Sequence, residues 1–262
     1  MVEYRPKEGD FMPEITNRYI KGSDLNKMSV IKIDSKTRKP KIWLDNNGIF
    51  YKKEDTNVVL RKKEYFEYFS ELDELKACEF PRELLYVDNS LFGYTDFEIK
   101  GYKPMDKRLE KFRLSLDGKK LLNYKVIKLV TCLHKNGIVH NDLHPGNLLT
   151  DKENIGLIDF VRTIIKELDG DRVFNQRLKF EMYYLNLLVL SILLDYNLLY
   201  MSNLKYGELI AGLKIPSEYK DYLTKVMNYD DSVMGIYPDE YIKYLGKKTL
   251  NSGKQLINSL NK

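Results

Sequence analysis

The sequence contains no apolar run that is long enough to cross a bilayer. Its most hydrophobic stretch, residues 185–194, is interrupted by Asn186 and Ser191, whereas a membrane helix needs roughly 20 predominantly apolar residues. We therefore expect a buried helix at this position and no membrane partner. The opening residues 1–6 also lack the apolar core of a secretory signal peptide.

Cysteine is scarce, because the chain has only Cys78 and Cys132. Their separation fits neither a metal-binding nor a redox motif, so both are expected to be small core residues of a reduced compartment. This predicts a cytoplasmic protein.

A large excess of one charge is also missing, since 43 Lys and Arg oppose 38 Asp and Glu for a formal net charge of +5. Basic clusters at 36–41, 61–63 and 103–120 are expected to be solvated faces, and a nucleic-acid partner is not expected. The 262 residues, 43% of them hydrophobic, are enough to bury the core of one large domain or two small ones.

The candidate catalytic and metal-binding residues lie in the stretch from His140 to Asn147 and in the apolar run 155–160 that follows it. Asp142 on a rigid loop is suited to accept a proton from a hydroxyl. Asn147 and Asp159 supply hard oxygen ligands of the kind that Mg²⁺ prefers. The alternative is an ordinary hairpin in which these residues only form turns.

The spacing His-x-Asp-x-x-x-x-Asn, followed by an apolar strand that ends in Asp-Phe, resembles the catalytic loop and metal-binding Asp of the protein-kinase-like superfamily. This resemblance implies an α+β, two-lobed fold, with a small antiparallel-sheet N-lobe carrying one main helix and a larger, mostly helical C-lobe. It also implies that Asp142 orients or deprotonates the acceptor hydroxyl, and that Asn147 and Asp159 hold Mg²⁺ on ATP. His140 is expected to pin the loop rather than to carry a proton.

The N-terminal part is predicted to begin with an irregular lead-in of about thirty residues, followed by three strands at 29–34, 41–44 and 49–53. This meander resembles the start of a kinase N-lobe, whose third strand carries a lysine that grips the α- and β-phosphates. Residues two apart share a strand face, which separates Lys52 from Lys53, and we choose Lys52. Exposure of both lysines to solvent is the alternative.

A helix is predicted over 58–77, with one buried face formed by Tyr65, Phe66, Phe69, Leu72 and Leu75. The resemblance implies that this helix supplies a glutamate that pairs with the strand lysine. Glu64 is preferred over Glu67, and an exposed glutamate without a partner is the alternative.

The boundary between the lobes is placed near Gly101, giving an N-lobe of residues 1–100 and a C-lobe of residues 101–262. Strands are predicted at 84–87 and 91–95, and a long helix at 118–136 that ends at Gly137. Glu181 is expected to open a helix over 182–194, where it would either bond the catalytic loop or complement the helix N-terminus. Further helices are predicted at 215–227 and 237–245, with a short helix or a frayed end at 246–262.

The chain departs from the kinase pattern at several positions. The turn 34–40 has no glycine, so Ser35, Thr37 or basic side chains would have to meet the phosphates. Val161 stands where the family often has glycine, and Asn141 where many regulated protein kinases have arginine. The Ala-Pro-Glu signature is also missing.

The sequence therefore predicts a kinase that uses ATP and Mg²⁺, with Lys52, Glu64, Asn147 and Asp159 at the nucleotide and Asp142 at the acceptor. An atypical serine/threonine protein kinase is preferred. The sequence Leu143-His144-Pro145-Gly146 also resembles that of aminoglycoside and choline kinases, which act on small molecules. A nucleotide-binding pseudokinase is the third alternative. An acidic pocket would favour a cationic antibiotic as acceptor, and an open groove would favour a peptide.

Overall fold

A computed structural model describes residues 16–33, 40–70, 77–81, 83–97, 101–105, 114–151 and 154–260. The chain divides into two compact units, residues 1–100 and 101–262, and each is described by itself.

The first unit is built on a mixed sheet whose strands, as far as the described residues go, follow the order β1-β5-β6-β4-β3-β2. Every pair of neighbouring strands is antiparallel except the pair of β1 with β5, which is parallel. The strands are β1 Thr16–Ile20, β2 Ser29–Ile33, β3 Pro40–Leu44, β4 Ile49–Lys53, β5 Glu83–Val87 and β6 Ser90–Phe97. The helices are α1 Gly22–Leu25, α2 Thr56–Arg61 and α3 Lys63–Ser70.

Both faces of this sheet are covered by apolar side chains. On one face a core forms from Leu25, Trp43, Ile49, Tyr51 and Leu85. On the other face Tyr94 of β6 meets Phe66 of α3, with ring centroids 6.0 Å apart. The alternation of side chains along β4 therefore decides which of its residues faces α3.

The predicted meander is confirmed by the antiparallel pairing of β2 with β3 and of β3 with β4. Residues 34–39 of its glycine-free turn lie outside the described residues, and Pro40 begins β3. The expected irregular lead-in is wrong over residues 16–25, which form β1 and α1. β1 is stabilised by a distant partner, because it pairs in parallel with β5 and Arg18 forms an ion pair with Glu83.

The helix predicted over 58–77 is divided in the structure. α2 ends before Lys62, whose φ of −99° and ψ of 7° depart from helical values, and α3 then begins. Residues 71–76 lie outside the described part, and Ala77 lies in a turn.

The second unit is mainly helical. Its strands are β7 Lys103–Pro104, β8 Ile138–Val139, β9 Leu148–Thr150, β10 Ile155–Leu157 and β11 Ile164–Ile165. Its helices are α4 Leu116–Lys135, α5 Lys166–Asp169, α6 Asp171–Leu194, α7 Asn203–Gly212, α8 Ser217–Met227 and α9 Lys247–Leu260, and 3₁₀ turns cover Phe160–Arg162, Leu198–Tyr200, Asp231–Val233 and Pro238–Tyr244. The predicted α+β class is therefore confirmed.

The helix α6 is the centre of this unit. It is buried along most of its length, and α4 is bonded to it by side chains that reach its backbone. Asn123 Nδ2 donates to the Val189 carbonyl at 3.0 Å, and Lys119 Nζ donates to the Leu193 carbonyl at 3.0 Å. Among the described residues, no helix is both long and apolar enough to cross a membrane.

Two predictions about helix ends have different outcomes. The helix that ends at Gly137 is confirmed, since α4 stops at Lys135 and Gly137 has a φ of +70°. The prediction that Glu181 opens a helix is wrong, because α6 begins ten residues earlier at Asp171. Phe174 and Leu178 are buried and continue the apolar face toward the N-terminus.

The closing helices are largely as predicted. α8 and α9 are α-helical, whereas Pro238–Tyr244 is a 3₁₀ helix. α7 was not predicted.

Candidate active site

His140 fixes the start of the loop between β8 and β9. Its side chain is fully buried, its Nε2 lies 2.9 Å from the Ile158 carbonyl oxygen, and its ring meets Phe160 edge-on. Since a carbonyl only accepts, Nε2 carries the hydrogen, and Nδ1 is left to accept the Asp142 backbone N–H at 3.3 Å. His140 thus ties the loop to the strand that precedes Asp159, in the structural role expected for it.

Glu181 accepts hydrogen bonds from the backbone of the same loop. Its Oε1 accepts the backbone N–H of His140 at 3.0 Å and the Nε2 hydrogen of His134 at 2.9 Å. Its Oε2 accepts the backbone N–H of Asn141 at 2.5 Å. Glu181 therefore bonds the loop backbone, which was one of the two roles expected for it, but it does so from the interior of α6.

The Glu181 carboxyl is buried and charged. Burial alone raises its pKa, but the hydrogen bond and charge interaction with His134, together with those of His140, outweigh burial and bring the pKa below its ordinary value of 4.5. The backbone N–H groups of His140 and Asn141 thus donate hydrogen bonds to a negatively charged carboxylate. Asn141 itself adopts a φ of +60°, a conformation that asparagine tolerates better than most residues.

Asp142 and Asn147 are brought together by this loop. Asn147 Nδ2 donates to the Asp142 carbonyl at 3.0 Å and approaches Asp142 Oδ2 at 3.5 Å. The Asn147 carbonyl accepts the backbone N–H of Ile158 at 3.0 Å, and Ile158 directly precedes Asp159. The three residues predicted for phosphoryl transfer in this unit therefore belong to one bonded substructure.

The oxygen donors of this substructure fit a magnesium ion that arrives with a nucleotide. Asn147 uses its Nδ2 in bonding Asp142, so its Oδ1 is left as an oxygen ligand. Within the described part of the chain, no three His, Cys, Asp or Glu side chains converge on a metal site. Mg²⁺ needs only one or two protein oxygens when phosphates and water supply the rest. Asn147 and Asp159 are suited to that role.

Lys52 and Lys53 differ in their surroundings. Lys52 is 12% exposed, forms an ion pair with the buried Asp96, and lies 5.4 Å from the centre of the Tyr94 ring. It therefore shares the sheet face that α3 covers through Phe66. Lys53 is exposed, with its Nζ 5.3 Å from the centre of the Phe92 ring.

Glu64 lies exposed in the first turn of α3. Lys52 forms an ion pair with Asp96 on the neighbouring strand, and Glu64, which is also among the described residues, forms no ion pair with it. The side chain of Glu67 lies outside the described residues. The nucleotide-binding role of Glu64 stays a prediction.

A cavity of about 410 Å³ lies beside Asp142 in the second unit. The described residues that line it include Asp142, His144, Arg162, Arg177, Phe180 and Tyr184. Asp142 is the single carboxylate among them, and two arginines face the same space. Among the described residues, the lining is therefore not the acidic one that a cationic antibiotic would favour.

The arginines of this cavity were not predicted from the sequence. Arg177, Phe180 and Tyr184 stand at positions i, i+3 and i+7 of α6, which places them on one helix face. That spacing is visible in the sequence, but a helix predicted to begin at Glu181 excludes Arg177 and Phe180 from it.

Comparison with known families matches the same part of the chain. The family described as "Phosphotransferase enzyme family" (APH) matches residues 120–165. This segment holds most of α4, the loop with Asp142 and Asn147, and Asp159.

Curated proteins that are named as protein kinases also match part of the chain. Calcium-dependent protein kinase 4 of Plasmodium berghei is 27% identical over 115 residues, which are 42% of this chain and 21% of that protein. The probable serine/threonine-protein kinase gdt2 of Dictyostelium discoideum is 30% identical over 105 residues, which are 37% of this chain and 6% of that protein. The matches thus span about a fifth or less of each relative's length.

The predicted resemblance to the protein-kinase-like superfamily is confirmed by these matches. The fold, the loop and the comparisons together support a kinase-like phosphotransferase.

Proposed function

We propose that the protein transfers the γ-phosphoryl group of ATP to a hydroxyl, with Asp142 as the group that accepts the hydroxyl proton. The observation that carries this proposal is the bonded loop, in which Asn147 holds Asp142 and the Glu181 carboxylate holds the backbone on its N-terminal side. Such rigidity positions a base without reorganisation at the moment of reaction.

The transfer forms one bond and breaks one. The acceptor oxygen bonds to the γ-phosphorus, the bridging P–O bond to the β-phosphate breaks, and ADP leaves with the electron pair. The hydroxyl proton passes to the Asp142 carboxylate. Bound Mg²⁺ would neutralise phosphate charge, with Asn147 and Asp159 as its protein ligands, and Lys52 would bind the α- and β-phosphates as a point charge.

The first candidate acceptor is a serine or threonine side chain of a protein. The relatives named as protein kinases support it, but they cover only part of this chain. The second candidate is a small alcohol. It is supported by the phosphotransferase family match and by the cavity beside Asp142, whose volume falls in the usual range for small-ligand sites, roughly 300–1,000 Å³.

Substitution of the two aspartates tests the proposal. Asp142→Asn should lower phosphoryl transfer from γ-labelled ATP by at least about a hundredfold, the scale of general-base catalysis, and leave ATP binding intact. Asp159→Asn should weaken Mg²⁺-dependent nucleotide binding as well. Transfer is followed with serine peptides and small alcohols as acceptors, and nucleotide binding by calorimetry.

Asp151→Asn serves as the matched control, because Asp151 lies beyond β9 and does not line the cavity. Undiminished transfer by Asp142→Asn would remove the proposed role of Asp142. ATP binding by the wild-type protein without transfer to any acceptor would favour a nucleotide-binding protein without catalysis.

A further inference from the structure

The cavity beside Asp142 has an uneven charge. Arg162 and Arg177 bring two positive groups to its lining, against the single carboxylate of Asp142. Neither guanidinium forms an ion pair with any carboxylate of the described residues. The cavity thus presents positive charge that the described part of the protein does not neutralise.

Both arginines extend from a fixed backbone. The carbonyl of Arg162 accepts the Asn141 Nδ2 hydrogen at 3.0 Å, and its neighbours Val161 and Thr163 are buried. Arg177 belongs to α6, next to the buried Leu178. The side chains themselves are exposed and accessible to a ligand, and their starting points are set by the same loop and helix that position Asp142.

The apolar part of the lining comes from the same helix as Arg177. Phe180 has its ring centre 6.0 Å from the Arg177 guanidinium carbon, and Tyr184 lies one turn further along α6. Aromatic side chains with a guanidinium suit a compact ligand that has a carbon skeleton and a negative group. Arginine binds phosphate and carboxylate through two parallel hydrogen bonds, which lysine cannot do.

We propose that this cavity binds an acceptor that carries a phosphate or carboxylate group near its reacting hydroxyl. Arg162 and Arg177 bind the anionic group, and the hydroxyl is thereby placed at Asp142. This inference rests on the proposed phosphoryl transfer and names the chemical class of its acceptor. Attraction to the arginines favours the anionic group beside them, whereas the charge of Asp142 favours the uncharged hydroxyl beside Asp142.

Direct binding tests the cavity independently of catalysis. The probes are glycerol 3-phosphate and glycerol, which share a skeleton and differ by the phosphate. Calorimetry should detect glycerol 3-phosphate binding that is at least tenfold weaker in the double variant Arg162→Gln/Arg177→Gln. Arg172→Gln is the matched control, because Arg172 is an exposed arginine of α6 that does not line the cavity.

Phosphoryl transfer then distinguishes the sources of the anion. One arm compares glycerol 3-phosphate with glycerol, and the other compares a serine peptide flanked by aspartates with the same peptide flanked by lysines. In at least one arm the anionic member should be the better acceptor, and the double variant should raise its KM at least tenfold with kcat changed less than threefold.

Three results would overturn the inference: no binding of glycerol 3-phosphate, binding that does not depend on the two arginines, or a preference for the cationic or neutral member in both arms. Binding that depends on the arginines without any transfer would instead count against the proposed function and uphold the anion site.

Discussion

Lys52 and Lys53 follow one another on β4 but meet different surroundings. Lys52 is nearly buried beside Asp96, and Lys53 is exposed. If Lys52 binds the phosphates of ATP, Lys52→Met should weaken ATP binding about tenfold or more, because a charge-assisted hydrogen bond contributes about 1.5–3 kcal/mol. Lys53→Met should change it less than twofold. Calorimetric titration with ATP and Mg²⁺ measures both.

A loss of folding has to be separated from a loss of the phosphate contact. Lys52→Met also removes the ion-pair partner of Asp96, so its free energy of unfolding is measured without nucleotide, and binding is measured well below the unfolding temperature. Equal effects of the two lysine substitutions on ATP binding would contradict the assignment to Lys52.

For single residues, spacing in the sequence predicts which side chains are neighbours only when those residues lie close together in the chain. Asp142 and Asn147 are five residues apart in one loop, where the motif places both, and the structure shows that Asn147 Nδ2 donates to the Asp142 carbonyl. The ion pair of Lys52 with Asp96 was not predicted, because Asp96 lies 44 residues further along and comes close to Lys52 through the pairing of β4 with β6. Arg162 and Arg177 meet at one cavity because a loop and α6 converge there.

Glu181 connects three elements, because it lies in the interior of α6 and bonds both the loop between β8 and β9 and His134 of α4. The carboxylate is charged in the folded protein because its pKa is lowered. A lowered folded pKa stabilises the native state at pH values above the unfolded pKa, and this contribution is lost as the pH falls through the folded pKa.

Replacement of Glu181 should therefore have an effect that depends on pH. Glu181→Gln should lower the free energy of unfolding by about 3–5 kcal/mol at neutral pH, since it leaves donors of the loop and His134 without their anion. The difference from the wild type should shrink as the pH falls below 4.5, the ordinary value for this carboxyl. Urea unfolding followed by circular dichroism at several pH values measures it.

Glu208→Gln is the control, because Glu208 is exposed on α7. Its unfolding free energy should follow that of the wild type within about 0.5 kcal/mol, as for surface substitutions in general. A Glu181→Gln effect that is the same at pH 3 and pH 7 would show that the charge of Glu181 is not the source of its stabilisation.

The start of α6 shows why an element's ends are harder to predict than its existence. Residues 171–177 are mostly polar because they lie on an exposed part of the helix, and the apolar face is continued only by Phe174 and Leu178. In contrast, the end of α4 was predicted well, since Gly137 is a local signal for a positive φ. β1 had no local signal, because its stability comes from β5 more than sixty residues away.

Over the whole molecule, 43 basic and 38 acidic residues leave a formal net charge of +5. A negative acceptor is therefore attracted before it reaches the two arginines of the cavity, and salt weakens such attraction. For the anionic acceptor, kcat/KM should fall at least threefold between about 0.05 M and about 0.5 M salt, over which the Debye length shortens from roughly 14 Å to 4 Å.

The neutral and double-variant controls separate this attraction from a general effect of salt on the enzyme. The kcat/KM for glycerol should change less than twofold over the same range, and the double variant Arg162→Gln/Arg177→Gln should show a shallower dependence with glycerol 3-phosphate. The overall charge falls only from +5 to +3 in that variant. A salt dependence as steep as that of the wild type would therefore show that the attraction comes from the net charge of the whole protein. A shallower dependence would place the attraction at the cavity, whose described lining has two arginines and one carboxylate.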